Sequence, residues 1–129
     1  MRETLEKLKK LTPELANLVF VHGPEIDYDV EDGSCSGKGL YSTDKVAIQL
    51  ATCSKGVYFP EHYHKYVEWL IVVTGKIKVN FKDTFKVASI AEGIYIFPKT
   101  IHSVLALEES CVIGITIPAD TKGYPSAKI

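Results

Sequence analysis

The chain alternates between apolar and polar residues over many short stretches. Residues 25–32 place Glu25, Asp27, Asp29 and Glu31 on one side and Ile26, Tyr28 and Val30 on the other, the pattern of a half-buried strand with an acidic outer face. That row also blunts an edge strand against pairing with other chains. A hard-cation site is the alternative, but side chains in a line do not wrap an ion. Residues 46–52 predict a second strand, with Val46, Ile48 and Leu50 on one face and Ala47, Gln49 and Ala51 on the other. If the small face looks inward, it leaves room for a ligand with Gln49 as its polar group; if outward, Gln49 is solvated. Residues 76–82 alternate again, with Ile77, Val79 and Phe81 toward a core and the lysines toward water, and Lys82-Asp83-Thr84 as the hairpin turn. Phe85, Val87, Ile90, Ile94 and Ile96 supply further strand positions, and residues 112–117 form the last strand before Pro118.

Only the start of the chain departs from this. Leu5, Leu8 and Leu11 recur at helical spacing, and Thr12-Pro13-Glu14 reads as N-cap, first helical position and dipole-facing acid of a second short helix carrying Leu15 and Leu18. Many short strands separated by turns, with helices only at the start, predict an all-β sandwich or barrel bearing a helical arm. Residues 1–22 are the arm and 23–129 one barrel domain, with residues 121–129 as an irregular tail. Asp32 to Gly39 reads as a glycine-rich turn; it lacks the spacing of a phosphate loop.

Length and charge narrow the partners. A chain of 129 residues can bury a core in one domain without disulfides. Net charge of −1 draws it to neither nucleic acid nor an anionic membrane. No apolar run reaches the length of a membrane span, and the charged first ten residues do not resemble a secretory signal. Cys35, Cys53 and Cys111 are odd in number and widely spaced, so reduced thiols in a cytoplasmic protein are expected.

The candidate chemistry lies in residues 56–75. His62 and His64 are two apart and would project from one face of an extended strand. Glu68, of the same parity, heads the apolar run Trp69-Leu70-Ile71-Val72-Val73. A carboxylate buried there needs a cationic partner. Two imidazoles and one carboxylate are a ligand set that divalent Fe, Mn, Co, Ni and Zn accept.

The pattern G-x5-H-x-H-x3-E-x6-G from Gly56 to Gly75 resembles the first motif of the cupins. The segment from Ala91 to His102 is similar to their second motif, more loosely: Ala91 stands at the usual opening glycine, Phe97 at a proline, Lys99 at a glycine or asparagine, and Ala106 at the closing asparagine. The resemblance implies an antiparallel jelly-roll barrel, also called a double-stranded β-helix, with one divalent metal ion on His62, His64, Glu68 and His102. It further implies a small-molecule ligand, a homodimer, and either a dioxygenase or isomerase of small-molecule metabolism or a non-catalytic binding or sensor protein. Iron in such a site can bind substrate and dioxygen side by side, manganese or nickel an enediolate or oxalate-like group, and zinc acts as a Lewis acid. Gln49, Tyr58 and Lys99 are candidate ligand-binding residues. Tyr58 is either a pocket acid or packing, and Lys99 either attracts an anion or is an exposed turn lysine. Tyr63 has the wrong parity for the site, and His22 lies outside both motifs.

Overall fold

The computed structural model describes residues 25–119. The helical arm expected over 1–22, His22 and the tail after residue 119 lie outside the described residues. Ten strands follow in chain order: β1 (Glu25–Asp27), β2 (Cys35–Ser42), β3 (Ala47–Cys53), β4 (Tyr58–His62), β5 (Val67–Thr74), β6 (Ile77–Asn80), β7 (Phe85–Ala88), β8 (Gly93–Ile96), β9 (His102–Ala106) and β10 (Ser110–Ile117). All pair antiparallel, in a six-stranded sheet ordered β1-β2-β3-β10-β5-β8 and a four-stranded sheet ordered β4-β9-β6-β7. The sheets face each other as the halves of a jelly-roll barrel. Among the described residues there is no helix, and none long and apolar enough to cross a membrane.

Strand parity builds the interior. Val72 and Val112 from the larger sheet meet Ile77, Val79 and Ala88 from the smaller, joined by Ile94 and Ile96 of β8. Toward the other end, Cys35 and Cys53 pack with Val57 and Ala106, under Tyr28, Val30 and Phe59. Burying Val79 and Ile96 completely is worth about 1.5–3 kcal/mol each.

Three expectations need correction. The acidic segment is a strand only over Glu25–Asp27; it then leaves β2 and bridges to β4, where Glu31 and Tyr58 exchange backbone hydrogen bonds of 2.9 Å. It thus closes the gap between the edge strands of the two sheets. The glycine-rich turn is confined to Asp32-Gly33-Ser34, because β2 begins at Cys35. Gly37 belongs to that strand because the Tyr28 ring lies against its backbone; a Cβ there would sit 2.6 Å from the ring. Ile90, expected on a strand, is an exposed turn residue.

The cysteines also differ from expectation. Cys35 and Cys53 oppose each other across β2 and β3 and are joined as a disulfide, while Cys111 is free. Spacing could not show this, since strand register alone brings the two together. The pairing removes the thiol-based reason for a reducing compartment.

The turn between β5 and β6 rests on Gly75, whose φ is +91°. A Cβ on it would run into the Ser110 side chain and the Glu109 carbonyl oxygen. Ser110 is buried and accepts the Lys76 N–H at 3.0 Å. Gly75→Ala is therefore expected to cost at least about 2 kcal/mol, from the left-handed backbone and the backbone clash together. A denaturant midpoint within error of the parent would contradict this.

Candidate metal centre

Four side chains converge between the two sheets. His62 ends β4, and His102 begins β9 directly opposite it in register. His64 lies in the loop after β4, and Glu68 is the second residue of β5, inward with Leu70 and Val72. Trp69, Ile71 and Val73 take the other face, which explains a carboxylate heading an apolar run: the run serves two faces and Glu68 stands on the inner one. The three histidines are each 1% exposed. Their ligand atoms lie within 4.8 Å of one another, so the three could hold a metal ion.

Each imidazole is oriented by a backbone carbonyl at Nδ1: His62 on Pro60 at 2.8 Å, His64 on Tyr66 at 3.1 Å, and His102 on Thr100 at 2.7 Å. A carbonyl only accepts, so each Nδ1 carries a proton and each Nε2 is the nitrogen turned toward the centre. His64 Nε2 is 3.3 Å from Glu68 Oε1, and His102 Nε2 is 3.7 Å from the same oxygen. The latter is too long for a hydrogen bond, and His102 Nε2 is buried without a partner among the described residues. A buried acceptor in that state costs stability unless something fills the centre. The donor set and this orphaned atom fit a divalent cation.

Electrostatics agree. Burial, then the neighbouring His102, lowers the His62 pKa to about 4, so His62 is neutral near pH 7. Burial pushes Glu68 upward, but the His102 and His64 imidazoles beside it outweigh that and hold it at about 2. An ionised Glu68 and a neutral His62 are protonation states that metal binding requires.

A cavity of about 80 Å³ adjoins the centre, lined by His62 and Glu68 of the four. Gln49, Ala51 and Cys53 line it, which settles the open question of β3: its small face looks inward. Gln49 Oε1 accepts the Tyr28 hydroxyl at 2.8 Å. Tyr58 and Lys99 do not line the cavity. Tyr63 is exposed, as parity requires.

No protein-family model matches the sequence, and no curated protein matches it. Solved structures do. KdgF from a Halomonas species superposes with a TM-score of 0.66 at 24% identity, over 73% of this chain and 88% of that one. An RmlC-like cupin from Shewanella frigidimarina gives 0.64 at 21%, over 71% and 85%. The chain has the cupin fold. A deletion mutant of Bacillus subtilis oxalate decarboxylase gives 0.63 at 18%, over 85% of this chain and 33% of that one.

The cupin fold explains where the second motif loosens. Ala91 (φ +66°) and Lys99 (φ +61°) both adopt the left-handed backbone that glycine favours, so the turns keep their shape without it. The Lys99 N–H donates to the His64 carbonyl at 2.7 Å, tying the β8–β9 turn to the loop that carries His64. Lys99 therefore contributes backbone to the site while its side chain is exposed. Lys99→Gly is expected to raise stability by about 0.5–1 kcal/mol with this bond kept; a lowered thermal midpoint would contradict it.

Sequence reasoning missed Tyr66 and Thr116. Tyr66 is buried, its ring 4.2 Å from that of His64 and 6° from parallel. Thr116 is paired with Glu68 across β10 and β5 and lines the cavity. Tyr66 could not be found by strand parity, because the chain bends between β4 and β5. Thr116 carried a signal, since it shares parity with the inward Val112.

Proposed function

We propose that the protein is a metal-binding cupin of small-molecule metabolism. His62, His64, Glu68 and His102 hold one divalent transition ion (Fe, Mn, Ni, Co or Zn), and the adjoining cavity takes the small molecule. The observation that carries this is the convergence of three buried, carbonyl-oriented imidazoles on Glu68, with His102 Nε2 unpartnered among the described residues. The ion would supply Lewis-acid or redox chemistry. The chain's own residues orient the imidazoles, keep Glu68 ionised, and line one side of the centre with Leu70, Val104 and Val112.

That open side favours an enzyme, a metal-dependent dioxygenase or isomerase, over a structural metal site. The second reading is a non-catalytic sensor or carrier, which the same cavity supports. Loading with Fe(II) without oxygen and adding nitric oxide tests for an open coordination position. A nitrosyl spectrum is expected; its absence from fully iron-loaded protein would contradict the enzyme reading.

We also propose a homodimer. Trp69 and Tyr95 sit in one row with Ile48 and Ile115 on the outer face of the six-stranded sheet, and both aromatic residues are exposed. A two-fold copy laid on this face would cover the row. Light scattering at micromolar concentration should give twice the chain mass, and a monomeric mass would contradict the dimer.

A further inference from the structure

His64 is the one side chain of the centre that no strand carries. His62 and His102 oppose each other in register where β4 ends and β9 begins, and Glu68 stands on β5. His64 lies in the loop over residues 63–66. Strand pairing cannot fix the plane of a ring placed there, so local contacts must.

Tyr66 supplies two such contacts. Its carbonyl oxygen accepts the His64 Nδ1–H at 3.1 Å. Its ring lies flat on the imidazole, with centroids 4.2 Å apart and planes 6° from parallel. The neighbouring imidazoles do not lie flat on His64: His62 meets it at 53° and His102 at 73°. Both His64 and Tyr66 are buried, so little water screens the stack.

The stack does more than hold a plane. An imidazole whose Nε2 coordinates a cation is electron-poor, and its faces gain positive character. The face of a phenol ring is negative and attracts a positive group within roughly 6 Å of its centroid. Contact with Tyr66 therefore strengthens when His64 coordinates. An aliphatic side chain of similar size would pack alike against both states of the imidazole. Only a contact that differs between the two states changes affinity.

We infer that Tyr66 is a positioning residue of the metal centre, whose ring acts through His64 to raise the affinity for a divalent ion by about tenfold. This rests on the metal reading. The ring holds the loop imidazole in its coordinating plane and favours the charge that coordination places on it.

The test measures Co(II) affinity by chelator competition on the full chain, in the parent, Tyr66→Phe and Tyr66→Leu, and in the same series carrying His64→Ala. The carbonyl of residue 66 is present in every variant, so the series isolates the ring. Tyr66→Phe should bind within about threefold of the parent, and Tyr66→Leu about tenfold more weakly. With His64→Ala, Tyr66→Leu should cause no further loss, because the ring then has no imidazole to act on. Parental affinity in Tyr66→Leu overturns the inference. So does a loss in Tyr66→Phe equal to that in Tyr66→Leu, or the same loss with His64 removed, which would mark a general disturbance of the barrel. Pentafluorophenylalanine in place of Tyr66 keeps the ring's shape and reverses the charge of its face, so it reads the effect even if Tyr66→Leu does not fold. It should bind at least about tenfold more weakly than Tyr66→Phe, and equal affinity of the two overturns the inference. A parent that takes up no cobalt overturns the metal reading and this inference with it; a parent that binds cobalt, with Tyr66→Leu unchanged, overturns the inference alone.

Discussion

Replacing His102 with alanine is expected to lower the affinity for a divalent ion by at least about 100-fold while the barrel stays folded. Four ligands sharing the roughly 10–16 kcal/mol of a protein metal site contribute about 3 kcal/mol each, and each 1.36 kcal/mol is tenfold. His102 is the informative choice because of what it does without metal. Its Nε2 is buried with no hydrogen-bond partner among the described residues. Truncation removes an unsatisfied polar atom but also the packing of a buried ring and its Nδ1 bond to the Thr100 carbonyl, so the metal-free variant should be destabilised yet folded. His62→Ala should lose metal to a similar extent. Competition with a chelator of known affinity reads the change, and parental affinity in the folded variant would remove His102 from the ligand set.

Metal-free protein is expected to lose stability on mild acidification, by on the order of 3 kcal/mol between pH 6.5 and 4. His62 titrates at 6.5 in an exposed chain and at about 4 in the fold, because burial and the nearby His102 disfavour its charged form. Between those values the unfolded chain binds the proton and the folded one does not, so acid favours unfolding. Glu68 adds to this at lower pH. Its folded value of about 2 against 4.5 gives stability that is complete above 4.5 and is lost as pH falls toward 2. Urea midpoints of metal-free protein should therefore drop from pH 7 to pH 4.5, and His62→Gln should flatten the slope. A midpoint independent of pH over that range would contradict the neutral, buried state of His62.

Much of this was legible in the residues. Alternation over Ile77, Val79 and Phe81 gave β6 and its inner face, and the hairpin at Lys82-Asp83-Thr84 followed from turn chemistry. The spacing of His62, His64 and Glu68, with His102 in a second apolar strand, pointed to side chains that do meet in the barrel. What was hidden depended on contacts between distant segments. β2 looked like a turn because its small residues suit the Tyr28 ring, which lies outside that strand. The Cys35–Cys53 pair depends on strand register. The inner face of β3 could not be chosen by alternation, since both faces are partly apolar and only the opposite sheet decides between them. The carbonyls of Pro60, Tyr66 and Thr100, which orient the three imidazoles, have no signature in side-chain identity at all.

The central claim is that His62, His64, His102 and Glu68 bind one divalent ion. X-ray absorption on protein isolated without added metal tests it most directly, because it reports both the element and its ligands. The account predicts one transition metal per chain, with imidazole nitrogens and a carboxylate oxygen at about 2.0–2.2 Å and no sulfur. A metal-free protein that also fails to load, or an ion bound through sulfur or through oxygen alone, would contradict it.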